Sequence, residues 1–290
     1  MMKVLGVDIG GTKIRFGIVD EKGKVYVDER VETTFPLYEL LEHHVMRLIE
    51  SYPEIEAIGI GTAGFVDAKN GKIIYMSETL PGWTGTEVKK QLEKATNLRV
   101  EVENDANCAA LAEAKFGSGR GYERMVCLTL GTGLGGGIII DDEILSGGPN
   151  GGTGEIGHMI LYPNGQKCSC GRNGCYEQYV SGTAIQRRIK EAGLELSPFE
   201  LFPKASEDPQ AAKVVKEFTF DLAVIISTLQ AALDMDAVII GGGVSESASY
   251  WMDDLMNQVK PLLLNDLDIE LASFGNEAGI LGAALLVLPE

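Results

Sequence analysis

Short runs of apolar residues separated by glycine-rich and acidic turns open the chain. Lys3–Asp8 is an apolar run with strand character, Ile9–Lys13 a turn, and Ile14–Asp20 alternates as a strand does. Glu21–Lys24 is a hairpin signal, and Val25–Val31 extends the sheet. The period then changes. In Leu37–Tyr52, Leu40, Leu41, Val45, Leu48 and Ile49 share one helical face, and Pro53 stops the run. A strand at Glu56–Gly61 leads into a loop at Thr62–Asp67. A helix at Thr86–Ala95, a strand at Val100–Glu103 and a helix at Cys108–Phe116 follow. Asn104 and Asp105 fall at the carboxyl end of that strand, where ligands bind in α/β sheets.

The second half repeats the opening. Met125–Leu130 is an apolar strand, Gly131–Gly137 a second glycine-rich turn, and Ile138–Ile140 a returning strand before the acidic turn at Asp141–Glu143. Asp8–Val25 and Leu130–Leu145 therefore share one order: glycine-rich turn, apolar strand, acidic turn, strand. Beyond them the pattern predicts helices at Gly182–Ala192, Ala211–Leu233, Met252–Leu264 and Ala278–Leu288, with an irregular loop at Leu196–Asp208. A strand at Ala237–Ile240 enters a third glycine cluster, Gly241–Gly243. Strands alternating with helices place the chain in the α/β class.

The 290 residues suffice for two domains, and 45% hydrophobic with 23% charged residues is the balance of a globular protein. The most apolar stretch, Leu222–Leu233, is interrupted by Ser227, Thr228 and Gln230 and is too short to span a bilayer. No secretory leader is read at the N-terminus, and the expected location is the cytoplasm. A formal net charge of −17 argues against a nucleic-acid partner. An anionic ligand would then be held locally, by backbone N–H groups and a cation.

The strongest chemical signal lies between Glu155 and Glu177. His158, Cys168, Cys170 and Cys175 are ligand types that close a structural zinc site, and the glycines of Cys168–Cys175 let a short loop fold around an ion. A disulfide, or a set of unrelated buried thiols, is the bland alternative, but four ligand-type residues share one short window and Cys168 and Cys170 are too close in sequence to pair comfortably. The turn at Gly10–Lys13 is not a Walker loop, because it lacks that spacing, and no helix follows it as a dinucleotide fingerprint requires.

Glu-x-Gly-His at 155–158 and Cys-x-Cys-Gly-x-x-Gly-Cys-x-Glu at 168–177 resemble the signature of the ROK family (repressors, open reading frames, sugar kinases). The turns D-I-G-G-T, G-T-G-L-G-G-G and G-G-G-V resemble the ATPase core shared by actin, Hsp70 and sugar kinases. The resemblance spans nearly the whole chain. It implies an α/β fold of two ribonuclease-H-like domains with an interdomain cleft, expected as residues 1–107 plus 276–290 and 108–275. It also implies phosphoryl transfer from ATP to the 6-hydroxyl of a hexose, glucose foremost. N-acetylmannosamine, N-acetylglucosamine, fructose and allose are alternative substrates, and a non-catalytic sugar sensor is a further alternative. The family's repressor branch carries an extra DNA-binding segment, which is not expected here.

Residue by residue, the resemblance implies that Asp8, Gly10, Gly11, Thr12 and Lys13 act on phosphates and Mg2+. Thr132 and Gly133 would hold phosphates, and Gly241, Gly242 and Gly243 would face the adenosine. Gly64, Asn104, Asp105, Glu155, His158 and Glu177 would bind the sugar, with Asp105 also the catalytic base. His158, Cys168, Cys170 and Cys175 would bind structural Zn2+. At Ala63 the family often has proline, at Thr79 asparagine in glucose-specific members, and at Tyr176 leucine. Family members are commonly dimers or tetramers. An aspartate at a helix start is expected to be held ionised by the helix dipole, a weak base in a reaction where alignment matters more than basicity.

Overall fold

In a computed structural model, residues 2–148 and 150–289 are described. The chain opens with strands β1 (Lys3–Ile9), β2 (Lys13–Asp20) and β3 (Val25–Glu32), then helix α1 (Leu37–Ser51). Next come β4 (Ile55–Thr62), the hairpin β5 (Phe65–Asp67) and β6 (Lys72–Tyr75), and α2 (Val88–Thr96). β7 (Arg99–Asn104) leads straight into α3 (Asp105–Phe116). β8 (Arg124–Leu130), β9 (Leu134–Ile140) and β10 (Glu143–Ile144) follow. The helices α4 (Glu177–Val180), α5 (Gly182–Glu191), α6 (Pro198–Lys204) and α7 (Pro209–Leu233) come next. β11 (Ala237–Gly241), α8 (Met252–Val259), β12 (Asp268–Leu271) and α9 (Ala278–Leu285) close the chain.

Two five-stranded sheets have the same plan. The first is ordered β3-β2-β1-β4-β7 and the second β10-β9-β8-β11-β12. In the first, β1 pairs antiparallel with β2 and parallel with β4, and β4 pairs parallel with β7. In the second, β11 pairs parallel with both β8 and β12. The repeat read in the sequence is thus a repeat of sheet topology.

The chain divides into two compact units. One holds Met1–Gly117, Gly137–Gly154 and Asn276–Glu290; the other holds Ser118–Gly136 and Glu155–Gly275. The first contains the whole of α3 and α9, which pack on each other, and α9 also lies on β1 and β4. That approach is close because Gly6 and Gly59 face the backbone of α9 with no side chain between. The apolar residues of β1, β2 and β4 meet Leu41, Val45 and Leu48 of α1 in one buried core. In the second unit, α7 buries Val214, Val215, Phe218, Leu222, Ile225, Ile226 and Leu229, the face its 3.6-residue period predicts. Asp208 caps its start by accepting from Gln210 and Ala211, and Asp234 ends it in the left-handed region.

The structure corrects several sequence expectations. Thr62–Asp67 is not all loop: Phe65–Asp67 pairs with Lys72–Tyr75. Leu196–Asp208 is not irregular, because Pro198–Lys204 is a helix with a full Ser197–Glu200 capping box and Pro198 in its first turn. The helix expected from Cys108 begins at Asp105, and that expected to reach Leu264 stops as an α-helix at Val259. No helix among the described residues is long and apolar enough to cross a membrane.

Candidate functional site

In the first unit the glycine turn joins β1 to β2. Gly10 N–H donates to the Lys13 carbonyl at 3.0 Å, and Thr33 ties the turn to β3 through its hydroxyl on Gly10 O (2.9 Å) and its N–H on Thr12 O (3.0 Å). Gly11 lies under Thr79, whose methyl would be 2.7 Å from any Cβ there. Lys13 and Thr12 are exposed at the turn.

Asp8 is the penultimate residue of β1, and its carboxylate packs against Gly279 in α9. Burial, reinforced by the charge of Asp105, pushes its pKa up to about 7; Arg15 opposes this only in part. Asp105 starts α3. Its pKa is also raised, by burial, against the opposing hydrogen bonds from backbone N–H groups and Asn104. The helix dipole was expected to lower the pKa of Asp105, and the direction is the opposite: loss of water outweighs the dipole. Asn104 is the helix cap. Its Oδ1 accepts from Ala106 N at 2.9 Å and Asn107 N at 3.2 Å, while its Nδ2 donates to the Gly64 carbonyl at 3.1 Å. One amide thus sets both the start of α3 and the position of the Gly64 loop. Glu103 accepts from Asn104 N and Asn107 Nδ2 beneath it, and burial raises its pKa.

In the second unit, Gly131 N–H donates to the Gly133 carbonyl at 3.0 Å and closes the turn between β8 and β9. Gly182 N–H and the Thr183 hydroxyl, at the start of α5, donate to the carbonyls of Gly131 and Thr132, both at 2.8 Å. Glu177 sits directly on Gly133 and accepts the Leu134 N–H at 3.2 Å. The structure thus brings Glu177 to the Thr132–Gly133 turn. Of the third glycine cluster, Gly243 lines a cavity of about 490 Å³ shared with Gly131, Thr132, Gln186, Phe199 and Val244. Gly241 closes β11, and Gly242 has φ of +85° against Leu130. The helix α6 that supplies Phe199 and Phe202 was missed in the sequence; its signal was Ser197 three residues before Glu200 with Pro198 between.

The cysteine loop is stitched by the bridges Ile160–Cys175 and Lys167–Asn173. His158 sits on a single 3₁₀ turn, Ile156–His158. The ligand atoms of His158, Cys168, Cys170 and Cys175 all lie within 4.8 Å of one another. Cys168 Sγ is 3.6 Å from His158 Nδ1, and Cys170 Sγ is 3.6 Å from Cys175 Sγ. All five cysteines are free, which removes the disulfide alternative. Thiolates on Zn2+ with bonds of ~2.3 Å stand ~3.7 Å apart at tetrahedral angles, so the donor set fits zinc. At Cys170, burial is outweighed by hydrogen bonds from Arg172 and the neighbouring cysteines, and the thiol falls to about 7; burial and its sulfur neighbours push Cys175 up to about 12. Crowded sulfurs that resist joint ionisation are the setting a cation relieves. His158 Nε2, on the far side of the ring, is 4.0 Å from Glu155 Oε2.

Residues 4–290 match the ROK family. The chain belongs to the ROK family. It is 35% identical to a glucokinase of Streptomyces coelicolor, over 97% of this chain and 96% of that one. A ROK family glucokinase from Streptomyces griseus, in complex with glucose and AMPPNP, has a TM-score of 0.82 to it at 34% identity, over 98% of each chain. A ROK hexokinase from Thermus thermophilus has a TM-score of 0.86 at 35% identity, over 98% of this chain and 97% of that one. The ROK chain described here has the two-domain α/β fold of the actin, Hsp70 and sugar-kinase class.

Proposed function

We propose that this chain is an ATP-dependent hexokinase that transfers the γ-phosphoryl group to the 6-hydroxyl of a hexose, with glucose the preferred substrate. The observation that carries the reading is Asp105, a half-buried carboxylate of raised pKa on the first residue of α3, placed by a cap that also holds the Gly64 loop. Asp105 accepts the proton of the sugar hydroxyl as the oxygen attacks phosphorus in line. Its raised pKa makes it a better base than an ordinary aspartate, while alignment by Asn104 supplies the larger share of the effect. Gly64, Asn104, Glu155 and His158 bind sugar hydroxyls. Gly10, Gly11, Thr12 and Lys13 hold phosphate oxygens, as do Thr132 and Gly133, and Gly243 faces the nucleoside.

Asp8 is the residue that would hold Mg2+, since the half-buried carboxylates of Asp8 and Asp105, with only partial compensation from Arg15, favour a dication. A dication held by Asp8 beside the phosphates would supply neutralisation of the charge on the transferred group. His158, Cys168, Cys170 and Cys175 would hold zinc in a structural role: Nδ1 faces the sulfurs, which leaves Nε2 to the sugar.

The test is sugar-phosphate formation from ATP across glucose, N-acetylglucosamine, N-acetylmannosamine, fructose and allose. Glucose is expected to give the highest kcat/KM. Asp105→Ala is expected to bind sugar and lose turnover by several orders of magnitude. Near-normal turnover in that variant would sink the assignment, and absence of product with every sugar would sink the activity.

A further inference from the structure

Among the described residues, Asp221 is the one charged side chain on the buried stripe of α7, and it is 3% exposed. Phe218 and Ile225, one helical turn to either side, mark its position as part of the apolar face. Both of its oxygens are engaged. Oδ1 accepts from the Tyr162 hydroxyl at 2.6 Å, and Oδ2 pairs with the guanidinium of Arg188, which is also buried. Well-packed apolar residues in place of a buried ion pair are often as stable or more so, and stability alone does not account for this carboxylate. Its partners do: Tyr162 belongs to the cysteine loop and Arg188 to α5.

Each partner is tied closely to its own surroundings. Tyr162 N–H donates to the Gly174 carbonyl at 3.2 Å, next to Cys175, and the Tyr162 carbonyl accepts from Gly165 N–H at 2.8 Å. Gly174 faces that carbonyl so closely that a Cβ would stand 1.6 Å from it. The Tyr162 ring meets Tyr179 of α4 edge to face at 4.8 Å, and Arg188 lies 5.8 Å from the centre of the same Tyr179 ring. At the start of α5, Ser181 is the cap, and the next two residues hold the second glycine turn. Gly182 N–H donates to Gly131 O and the Thr183 hydroxyl to Thr132 O, both at 2.8 Å. Arg188 follows Thr183 by about one and a half helical turns, so a shift of Arg188 moves the groups that hold the Thr132–Gly133 turn.

Resting on the reading of Thr132 and Gly133 as phosphate-holding residues, we propose that Asp221 is a positioning residue for the phosphoryl donor: it locks the cysteine loop to α5 and so fixes the Thr132–Gly133 turn for the phosphates of ATP. Asp221 acts through Arg188 and the start of α5. The cysteine loop, through Tyr162, is the other end of the same strut, and it therefore supports the nucleotide as well as the sugar. A buried carboxylate with both oxygens engaged gives the strut one geometry, which an apolar contact at the same place would not specify.

The experiment measures ADP binding by calorimetry, without sugar, at a temperature where every variant is folded. Tyr162→Phe removes only the hydroxyl and keeps the ring contact with Tyr179. Asp221→Asn keeps the shape and leaves Arg188 the half-exposed carboxylate of Glu217, 4.0 Å away, as a partner. Each is expected to weaken ADP binding by ~5- to 10-fold, the lower range of couplings between sites, with the effect on turnover falling on KM for ATP more than on kcat. Asp221→Leu combined with Arg188→Leu restores an apolar stripe. It is expected to regain the melting temperature lost in Asp221→Asn and to keep the weakened ADP binding, which separates positioning from stability. Unchanged ADP affinity in either single variant would overturn the proposal, as would full recovery of affinity in the double leucine variant. An unaltered protein that binds no ADP would overturn the nucleotide reading and the proposal with it, whereas ADP binding that ignores these substitutions overturns the proposal alone.

Discussion

Gly279 shows how one residue can reverse a general rule. Inside a helix, glycine is ordinarily destabilising by about 1 kcal/mol relative to alanine, so Gly→Ala there usually helps. In α9 the space a Cβ would take is filled by the carboxylate of Asp8. Gly279→Ala is therefore expected to displace Asp8 and depress kcat while the fold persists; full activity with raised stability would contradict this placement. Glu177 invites a similar test. Its carboxylate rests on Gly133 and accepts from Leu134, so Glu177→Ala is expected to loosen the second glycine turn and raise KM for ATP more than for sugar. A rise confined to the sugar KM would instead support the sugar-binding role that the family resemblance implies for Glu177. Neither contact was legible in the sequence, because each joins residues far apart in the chain through tertiary packing. Asp105 and Asn104 were legible in part. Their place at the end of a strand could be read, but which of them caps α3 depended on rotamers, and the pKa of Asp105 depended on how much water the fold removes.

At the scale of elements, legibility followed the strength of local pattern. The β1–β2 turn and α7 were read within a residue or two, because a glycine cluster and a 3.6-residue apolar period are local signals, whereas the turn expected over Gly131–Gly137 ends at Gly133 and β9 already begins at Leu134. β5, β6 and β12 were missed. They are short, and Phe65 and Tyr75 at one end of the small hairpin are not alternating core positions. The cysteine loop was legible as a ligand set, since its chemistry sits in residue types and spacing. Its mounting was not: Tyr162 donates to Asp221 of α7 at 2.6 Å, and Arg188 of α5 pairs with the same carboxylate. The loop is thus expected to carry about one zinc per chain by elemental analysis, from its four donors. Cys175→Ser, which removes a fully buried ligand, is expected to lose it. Cys108→Ala and Cys127→Ala are expected to retain zinc, since both thiols lie outside the cluster. An active protein without zinc would refute the site.

Over the whole molecule, charge sets a pH dependence whose sign can be worked out. Asp8 titrates at about 7 in the folded chain against an ordinary 3.8, and Glu103 and Asp105 are also raised by burial. Between those limits the folded state binds more protons than the unfolded state, so stability falls as pH rises and the loss is complete above about 7. For Asp8 alone a rise of this size corresponds to ~4 kcal/mol at most. Asp28 acts the other way: its hydrogen bond from Arg15 lowers its pKa, a contribution lost only when pH falls below the ordinary carboxylate range. The net charge of −17 at neutral pH adds self-repulsion in the same direction as Asp8. Without ligands the protein is therefore expected to melt at a higher temperature near about pH 5.5 than near about pH 8, with both conditions kept away from the isoelectric point of about 4.6. Asp8→Asn keeps the side chain's shape and removes its charge, so it is expected to flatten that slope and to raise the melting temperature chiefly on the alkaline side. Mg2+ with a nucleotide should flatten it as well, because a dication stabilises the ionised carboxylate that burial opposes. A melting temperature that rises across this range, or a slope unchanged in Asp8→Asn, would show that Asp8 is ionised at little cost and that water reaches it freely.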